Sequence, residues 1–124
     1  MCADIIRQIR ERAKKSPKRI IFPETEDERV LRAVDYVRSE GIAEPFLISR
    51  KDMDPVQCDR FAYLLYEFRR AKGLTYEKAR ELMDDVLFYS AMMVRCGFVD
   101  GMVTGASHST AAAMRSVIYC LELN

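Results

Sequence analysis

Apolar residues in this chain occur in short continuous runs and in longer stretches where they recur every three or four positions. Short runs at residues 18–23, 44–48 and 101–103 predict buried strands. Helical spacing predicts helices at residues 5–15, 25–41, 54–73, 75–82, 84 or 85 to 97, and 109–121. The order strand, helix, strand is typical of a parallel sheet with right-handed crossovers. We therefore predict one α/β domain over residues 1–124, a three-layer α/β/α arrangement with a mostly parallel sheet.

Polar residues mark where the predicted helices begin. Thr25 and Glu28 fit a capping box, which predicts Thr25 as the N-cap of its helix. Asp54 precedes a proline and is predicted to cap the next long helix. Residues 49–54 join a strand to that helix in very few residues, and three strands are few for a sheet covered on both faces.

Charge and composition narrow the class of protein. The 124 residues carry 20 basic and 19 acidic side chains, a net charge of +1. This balance argues against a surface for nucleic acid or membrane, and no apolar run is long enough to span a bilayer. Residues 1–7 contain an early acid and scattered charges, unlike a secretory signal, so we expect a cytoplasmic protein.

Four cysteines lie far apart in the chain and form no C-x-x-C pair. With one histidine in the sequence, a zinc site would need distant residues to converge, so no metal is expected. Free thiols in a reducing cytosol are the favoured interpretation. A catalytic cysteine is the alternative, but none of the four has a local activation signal such as a flanking general base. The cysteines are Cys2, Cys58, Cys96 and Cys120.

The stretch from Asp100 to Thr110 carries the strongest chemical signal. A short strand is followed by a loop with Gly105, which permits a sharp turn, and then by a helix starting near Ser109. Hydroxyl and imidazole side chains beside the free N–H groups of a helix N-terminus can hold a phosphate or another anion. The loop lacks the spacing of a P-loop. The alternative that its serines and threonine only cap the helix stays open. The candidate binding residues are Gly105, Ser107, His108, Ser109 and Thr110.

Other charged residues have a functional and a structural interpretation. Glu24 follows the first strand, at the edge where parallel sheets bind ligands, but a structural role is favoured for it and for the acids at 26–28. Arg69 lies near a helix end and could clamp a phosphate, or could be a solvated charge. Arg115 lies within two turns of Thr110 and could add a cation behind the loop.

Four segments of the sequence resemble one known family. Residues 18–33, 40–48, 66–75 and 100–110 are similar, in the same order, to signature segments of the phosphate acetyltransferases (phosphotransacetylases). The family also includes phosphate butyryltransferases and the C-terminal domain of some long malic enzymes. The resemblance covers nearly the whole chain from residue 18 onward and implies a truncated phosphotransacetylase-like, isopropylmalate dehydrogenase-like fold.

The resemblance also implies an activity. Family members have two domains with a cleft between them and transfer an acetyl group between acetyl phosphate and coenzyme A, as small-molecule substrates, without a separate cofactor. By position, the loop at residues 105–110 would line the cleft, and Arg69 and Arg115 would bind coenzyme A or phosphate. The mechanism would be direct attack of the thiolate on the acetyl carbonyl. No catalytic base is assigned.

Two departures from the family shape our expectations for this chain. The second domain, which carries a serine–arginine pair and an aspartate of the catalytic constellation, is absent from the sequence. The join at residues 49–54 replaces a helix and strand that the family usually has. We therefore expect weak or absent turnover, with a homodimer or a complementary chain as a partner. The alternative is a non-catalytic binding or oligomerisation module like that of the long malic enzymes.

Overall fold

The computed structural model describes residues 2–121, apart from the side chain of Cys2. Three parallel strands are separated by helices within this range, as the hydrophobic pattern predicts. The strands are β1 (Lys18–Phe22), β2 (Ala43–Leu47) and β3 (Gly101–Met102). The α-helices are α1 (Cys2–Lys15), α2 (Glu28–Glu40), α3 (Pro55–Arg69), α4 (Tyr76–Leu82), α5 (Val86–Arg95) and α6 (Thr110–Leu121), with short 3₁₀ turns at Arg50–Asp52 and Arg70–Lys72.

The sheet has β1 at its centre, in the order β2-β1-β3. Both pairings are parallel, with Ile21 of β1 opposite Phe46 of β2 and Met102 of β3. Ile21 is buried because neighbouring strands and the core cover it. The predicted parallel sheet is therefore confirmed, and the carboxyl ends of its strands lie at one edge.

The hydrophobic core lies where α3, α4 and α5 pack on one another and reach the sheet. Phe61 is fully buried, with its ring centroid 5.2 Å from that of Tyr89 and 6.1 Å from that of Phe98 in edge-to-face arrangements. Leu65 and Met92 are also inaccessible to solvent. Burial of each such side chain contributes about 1.5–3 kcal/mol, which anchors the helices that carry the loops of the carboxyl edge.

Helix α2 begins two residues later than the capping-box pattern predicts. Its N-cap is Asp27, whose side chain accepts a hydrogen bond from the Arg29 N–H, and the prediction of Thr25 as N-cap is wrong. The N–H of Asp27 donates to the Glu24 carbonyl at 3.4 Å. That turn keeps residues 24–26 out of the helix and leaves the Glu24 side chain free to reach elsewhere.

The short join after β2 is a compact turn closed by its own hydrogen bonds. Ser49 donates from its N–H and its hydroxyl to the Asp52 carboxylate, at 2.9 and 2.8 Å. The backbone hydrogen bond, followed by that of the hydroxyl, lowers the pKa of Asp52. Asp54 then caps α3, as predicted. The turn places Ser49 and Arg50 just beyond the end of β2.

Several large apolar side chains remain at the surface of the described part of the chain. They lie on one side of α1, on α6 and on the edge strand β2, and they are Ile5, Ile6, Ile9, Met114, Ile118, Phe46 and Leu47. Within residues 2–121, no helix combines the length and hydrophobicity that crossing a membrane requires.

Candidate active site

A cavity of about 260 Å³ lies at the carboxyl edge of the sheet. Three chain segments line it: residues 23–26 after β1, residues 49–50 after β2, and residues 107–108 after β3, with Val86 beside them. Open parallel sheets bind their ligands in this position, because the loops that follow adjacent strands converge there. The cavity is therefore the strongest candidate for a ligand site in the described structure.

The carboxylate of Glu24 is buried against the loop that follows β3. Glu24 is only 4% exposed. Its Oε1 accepts the N–H groups of Gly105 and Ala106 at 2.9 and 3.0 Å. Its Oε2 accepts the N–H groups of Ser107 and His108 at 2.5 and 2.7 Å and the Ser107 hydroxyl at 2.9 Å. The loop has the anion-binding geometry that the sequence suggests, and the anion it holds is the chain's own carboxylate.

These hydrogen bonds determine the charge state of Glu24. Burial alone raises the pKa of this carboxyl, but the N–H groups of Ser107, Ala106 and His108 and the Ser107 hydroxyl outweigh burial and hold the pKa far below its usual range. Glu24 is thus ionised at neutral pH. The structural role favoured for Glu24 agrees with this geometry.

Two further features fix the conformation of the loop. Gly105 has φ of +116°, a conformation that L side chains rarely adopt. Arg29 donates to the Ala106 carbonyl at 2.8 Å and to the Asp27 carboxylate at 2.7 Å, which links the loop to the first turn of α2. The loop is therefore shaped before any ligand arrives.

The predicted loop residues divide into two groups. Gly105, Ser107 and His108 bind Glu24, and the latter two line the cavity. Ser109 caps α6, since its hydroxyl accepts the Ala112 N–H at 3.1 Å. Thr110 is the exposed first residue of α6 and does not contact Glu24. The capping interpretation thus applies to Ser109, while ligand binding by the loop stays a prediction.

Arg69 and Arg115 meet at a different place. The guanidinium carbon of Arg69 lies 4.1 Å from the centroid of the Tyr119 ring, and that of Arg115 lies 5.3 Å from the same centroid. Neither arginine lines the cavity. The structure therefore brings the two predicted arginines together around one aromatic ring of α6, outside the cavity.

Sequence reasoning did not identify three residues of the cavity. Ser49, Arg50 and Val86 line the cavity, and Arg50 contributes a positively charged guanidinium group to its wall. The available signal was position, because Ser49 and Arg50 follow a predicted parallel strand directly and so must lie at the same edge as Glu24. The pattern of residue types around them carries no motif.

The described cysteines are free thiols, and none of them lines the cavity. Cys58 and Cys120 are buried and Cys96 is exposed. Burial raises the pKa of Cys120 to about 12 and also raises that of Cys58 and Cys96, so none of the three is an activated thiolate. Cys2 lies outside the described side chains. Among the described residues, no group of three histidine, cysteine or acidic side chains could hold a metal ion.

Known proteins match this fold and these loops. A family model described as phosphate acetyl/butaryl transferase matches residues 4–124. The phosphate acetyltransferases of Thermoanaerobacterium thermosaccharolyticum and Acetivibrio thermocellus are each 38% identical, over 90% and 94% of this chain. A crystal structure of a phosphotransacetylase from Streptococcus pyogenes superposes with a TM-score of 0.85 at 30% identity over 97% of this chain, in agreement with the predicted three-layer fold. The chain spans 40% and 41% of the two curated relatives and 43% of that structure.

Proposed function

Because the chain belongs to the phosphate acetyl/butaryl transferase family, we propose that it contributes one side of a cleft for acyl transfer between acetyl phosphate and coenzyme A in the cytoplasm. The observation that supports this most directly is the cavity at the carboxyl edge, where the loops after all three strands converge. The reaction itself needs a bound acyl phosphate, a bound thiol and donors for the oxyanion that develops on the acyl carbonyl.

We assign the phosphoryl group to the Arg50 side of the cavity and to the first turn of α6. The N–H groups from Gly105 to His108 are already bonded to Glu24, so they have little capacity for a second anion. Arg50 supplies positive charge, and the N-terminus of α6 at Thr110 supplies the favourable end of a helix dipole. Coenzyme A is assigned to Arg69 and Arg115, whose charges lie together on α3 and α6.

These 124 residues correspond to roughly two-fifths of the relatives' length, and the activity of the whole relatives does not transfer to them directly. We propose that by themselves they bind substrates and turn them over weakly or not at all. The opposite side of the cleft would have to come from other residues, either of a second copy or of a complementary chain.

A coupled assay of the purified 124-residue chain, with coenzyme A and acetyl phosphate, tests this proposal. Thioester formation is followed by absorbance, and calorimetry on the same sample measures binding of coenzyme A and of inorganic phosphate. We expect binding without appreciable turnover, weaker phosphate binding for Arg50→Ala, and no change for Arg12→Ala on the exposed face of α1. A steady-state rate near that of the full-length relatives would contradict the proposal of weak turnover, and absence of binding to either substrate would contradict the site.

A second candidate function is an association module without catalysis. The exposed apolar residues Ile5, Ile6 and Ile9 on α1, and separately Met114 and Ile118 on α6, favour it, because exposed apolar surface stabilises protein contacts. Sedimentation of the chain at increasing concentration distinguishes the two. A stable oligomer that binds neither substrate would support association as the main role.

A further inference from the structure

A second cavity, of about 500 Å³, lies between the end of α3 and the start of α4. Its walls include Tyr66, Arg70, Leu74 and Tyr76. The ring centroids of the two tyrosines are 6.5 Å apart and the rings are inclined by 80°, which makes them an edge-to-face pair. Tyr66 is half-buried and Tyr76 is 37% exposed, so the first ring supports a second one that solvent reaches.

This cavity adjoins one of the two arginines assigned to coenzyme A. The N–H of Leu74, in the cavity wall, donates to the carbonyl of Arg69 at 3.3 Å, and Arg70 follows Arg69 in the chain. The guanidinium of Arg69 lies over the ring of Tyr119 on α6. Tyr66 precedes Arg69 by three residues in α3, which is less than one helical turn. The tyrosine pair and the arginine therefore lie side by side.

Helix α6 connects this region with the cavity at the carboxyl edge. It begins at Thr110, shortly after the loop residues that line the carboxyl-edge cavity, and Tyr119 lies in its last turn. The rise from Thr110 to Tyr119 is about 14 Å, at 1.5 Å per residue. A ligand that contacts both places has to be long. Coenzyme A has this shape, because its thiol and its adenine are at opposite ends of the molecule and its phosphates are near the adenine.

We propose that the cavity between α3 and α4 binds the adenine base of coenzyme A, which stacks on the ring of Tyr76. The inference rests on the proposed function, which supplies coenzyme A as the ligand and Arg69 as a contact for its phosphates. Purine bases stack on aromatic rings, and a guanidinium group adds a cation–π contact. Arg70 can supply that group, because its side chain is 61% exposed and its Nη1 is 3.9 Å from the Glu67 carboxylate, a weak surface ion pair.

Calorimetry with adenosine 3′,5′-bisphosphate, which has the adenine and adjacent phosphates but no thiol, tests this proposal. Tyr76→Ala removes the ring and should weaken binding about 10-fold, the value of one base stacked on one aromatic ring. Tyr76→Phe keeps the ring and should bind as the unaltered chain does. Tyr63→Ala is the matched control, because Tyr63 is an exposed tyrosine of α3 that lines a different cavity. The control should bind with unchanged affinity.

Nuclear Overhauser effects give a second readout on the unaltered chain, which needs no variant to fold. With adenosine 3′,5′-bisphosphate bound, we expect contacts between the adenine protons and the ring protons of Tyr76. Binding of coenzyme A with no such contacts, or with equal affinity for the unaltered chain and Tyr76→Ala, would overturn the adenine site and leave the proposed function intact. Absence of binding by both coenzyme A and the bisphosphate would overturn the proposed function and the adenine site together.

Discussion

Replacing Glu24 with glutamine should cost the protein about 3 kcal/mol of unfolding free energy. Glutamine keeps one acceptor oxygen but presents an NH₂ group to donors that the other oxygen held. At least two backbone hydrogen bonds to a charged group are lost, those from Gly105 and Ala106 if the NH₂ takes the position of Oε1. Hydrogen bonds to charged groups contribute about 1.5–3 kcal/mol each, and the exposed loop lets water replace part of the loss, so the estimate lies at the lower end.

Thermal unfolding followed by circular dichroism measures this loss. For a chain of this size, about 3 kcal/mol corresponds to a decrease in Tm of about 10 °C. Glu26→Gln is the matched control, because Glu26 is a neighbouring acid on the same turn and is exposed. Its Tm should stay within about 2 °C of that of the unaltered protein. A Glu24→Gln variant as stable as the control would refute the view that Glu24 organises the loop.

The same pair of proteins gives a pH signature. The pKa of Glu24 in the folded state lies far below its ordinary value of 4.5, so its contribution to stability is fully present above pH 4.5. This contribution is lost as the pH falls toward the folded-state pKa, by up to about 1.4 kcal/mol per pH unit. The difference in unfolding free energy between the unaltered protein and Glu24→Gln should therefore be constant near neutral pH and shrink below about pH 4.5. A difference that grows on acidification would contradict the assigned direction.

Three further variants or reagents test other parts of the structure. Gly105→Ala should destabilise the protein more than Gly41→Ala, because φ of +116° at Gly105 is less accessible to alanine than φ of +67° at Gly41. We expect losses of unfolding free energy of about 2 and about 1 kcal/mol, measured by denaturant titration. The reverse order would contradict the loop geometry. Phe61→Ala should cost about 3–5 kcal/mol in the same titration because its ring is fully buried, and a loss below about 1 kcal/mol would contradict the core packing. A thiol reagent should modify exposed Cys96 before buried Cys120 in the folded protein, and equal rates would contradict the burial of Cys120.

Periodicity along the sequence predicted the fold well because strands and helices depend on neighbouring residues. The three strands and the helices after Asp54 and Thr75 begin where their apolar runs and polar caps indicate. The failure at Thr25 has a physical origin. A threonine three residues before a glutamate fits a capping box, but Asp27 competes for the same role and Glu24 is withdrawn into a long-range contact.

The candidate site was less predictable because its contacts join residues far apart in the chain. Glu24 is separated by 81–84 residues from the loop it binds, so no local pattern shows that the anion for this loop is internal. Arg50 reaches the cavity only because β2 is parallel to β1. The sequence could place the loop at a helix N-terminus, but the partner of its N–H groups required the fold.

An internal carboxylate in an anion-binding loop restricts where a substrate phosphate can bind. Two unit charges 4 Å apart repel by about 4 kcal/mol at an effective dielectric constant of 20, so a phosphate next to Glu24 needs compensating positive charge. Arg50 on the cavity wall and the N-terminus of α6 are the proposed sources of that charge, since Glu24 and His108 both line the same cavity. Glu24 thus fixes the shape of the loop, and in the proposed site its charge would direct a phosphate toward Arg50.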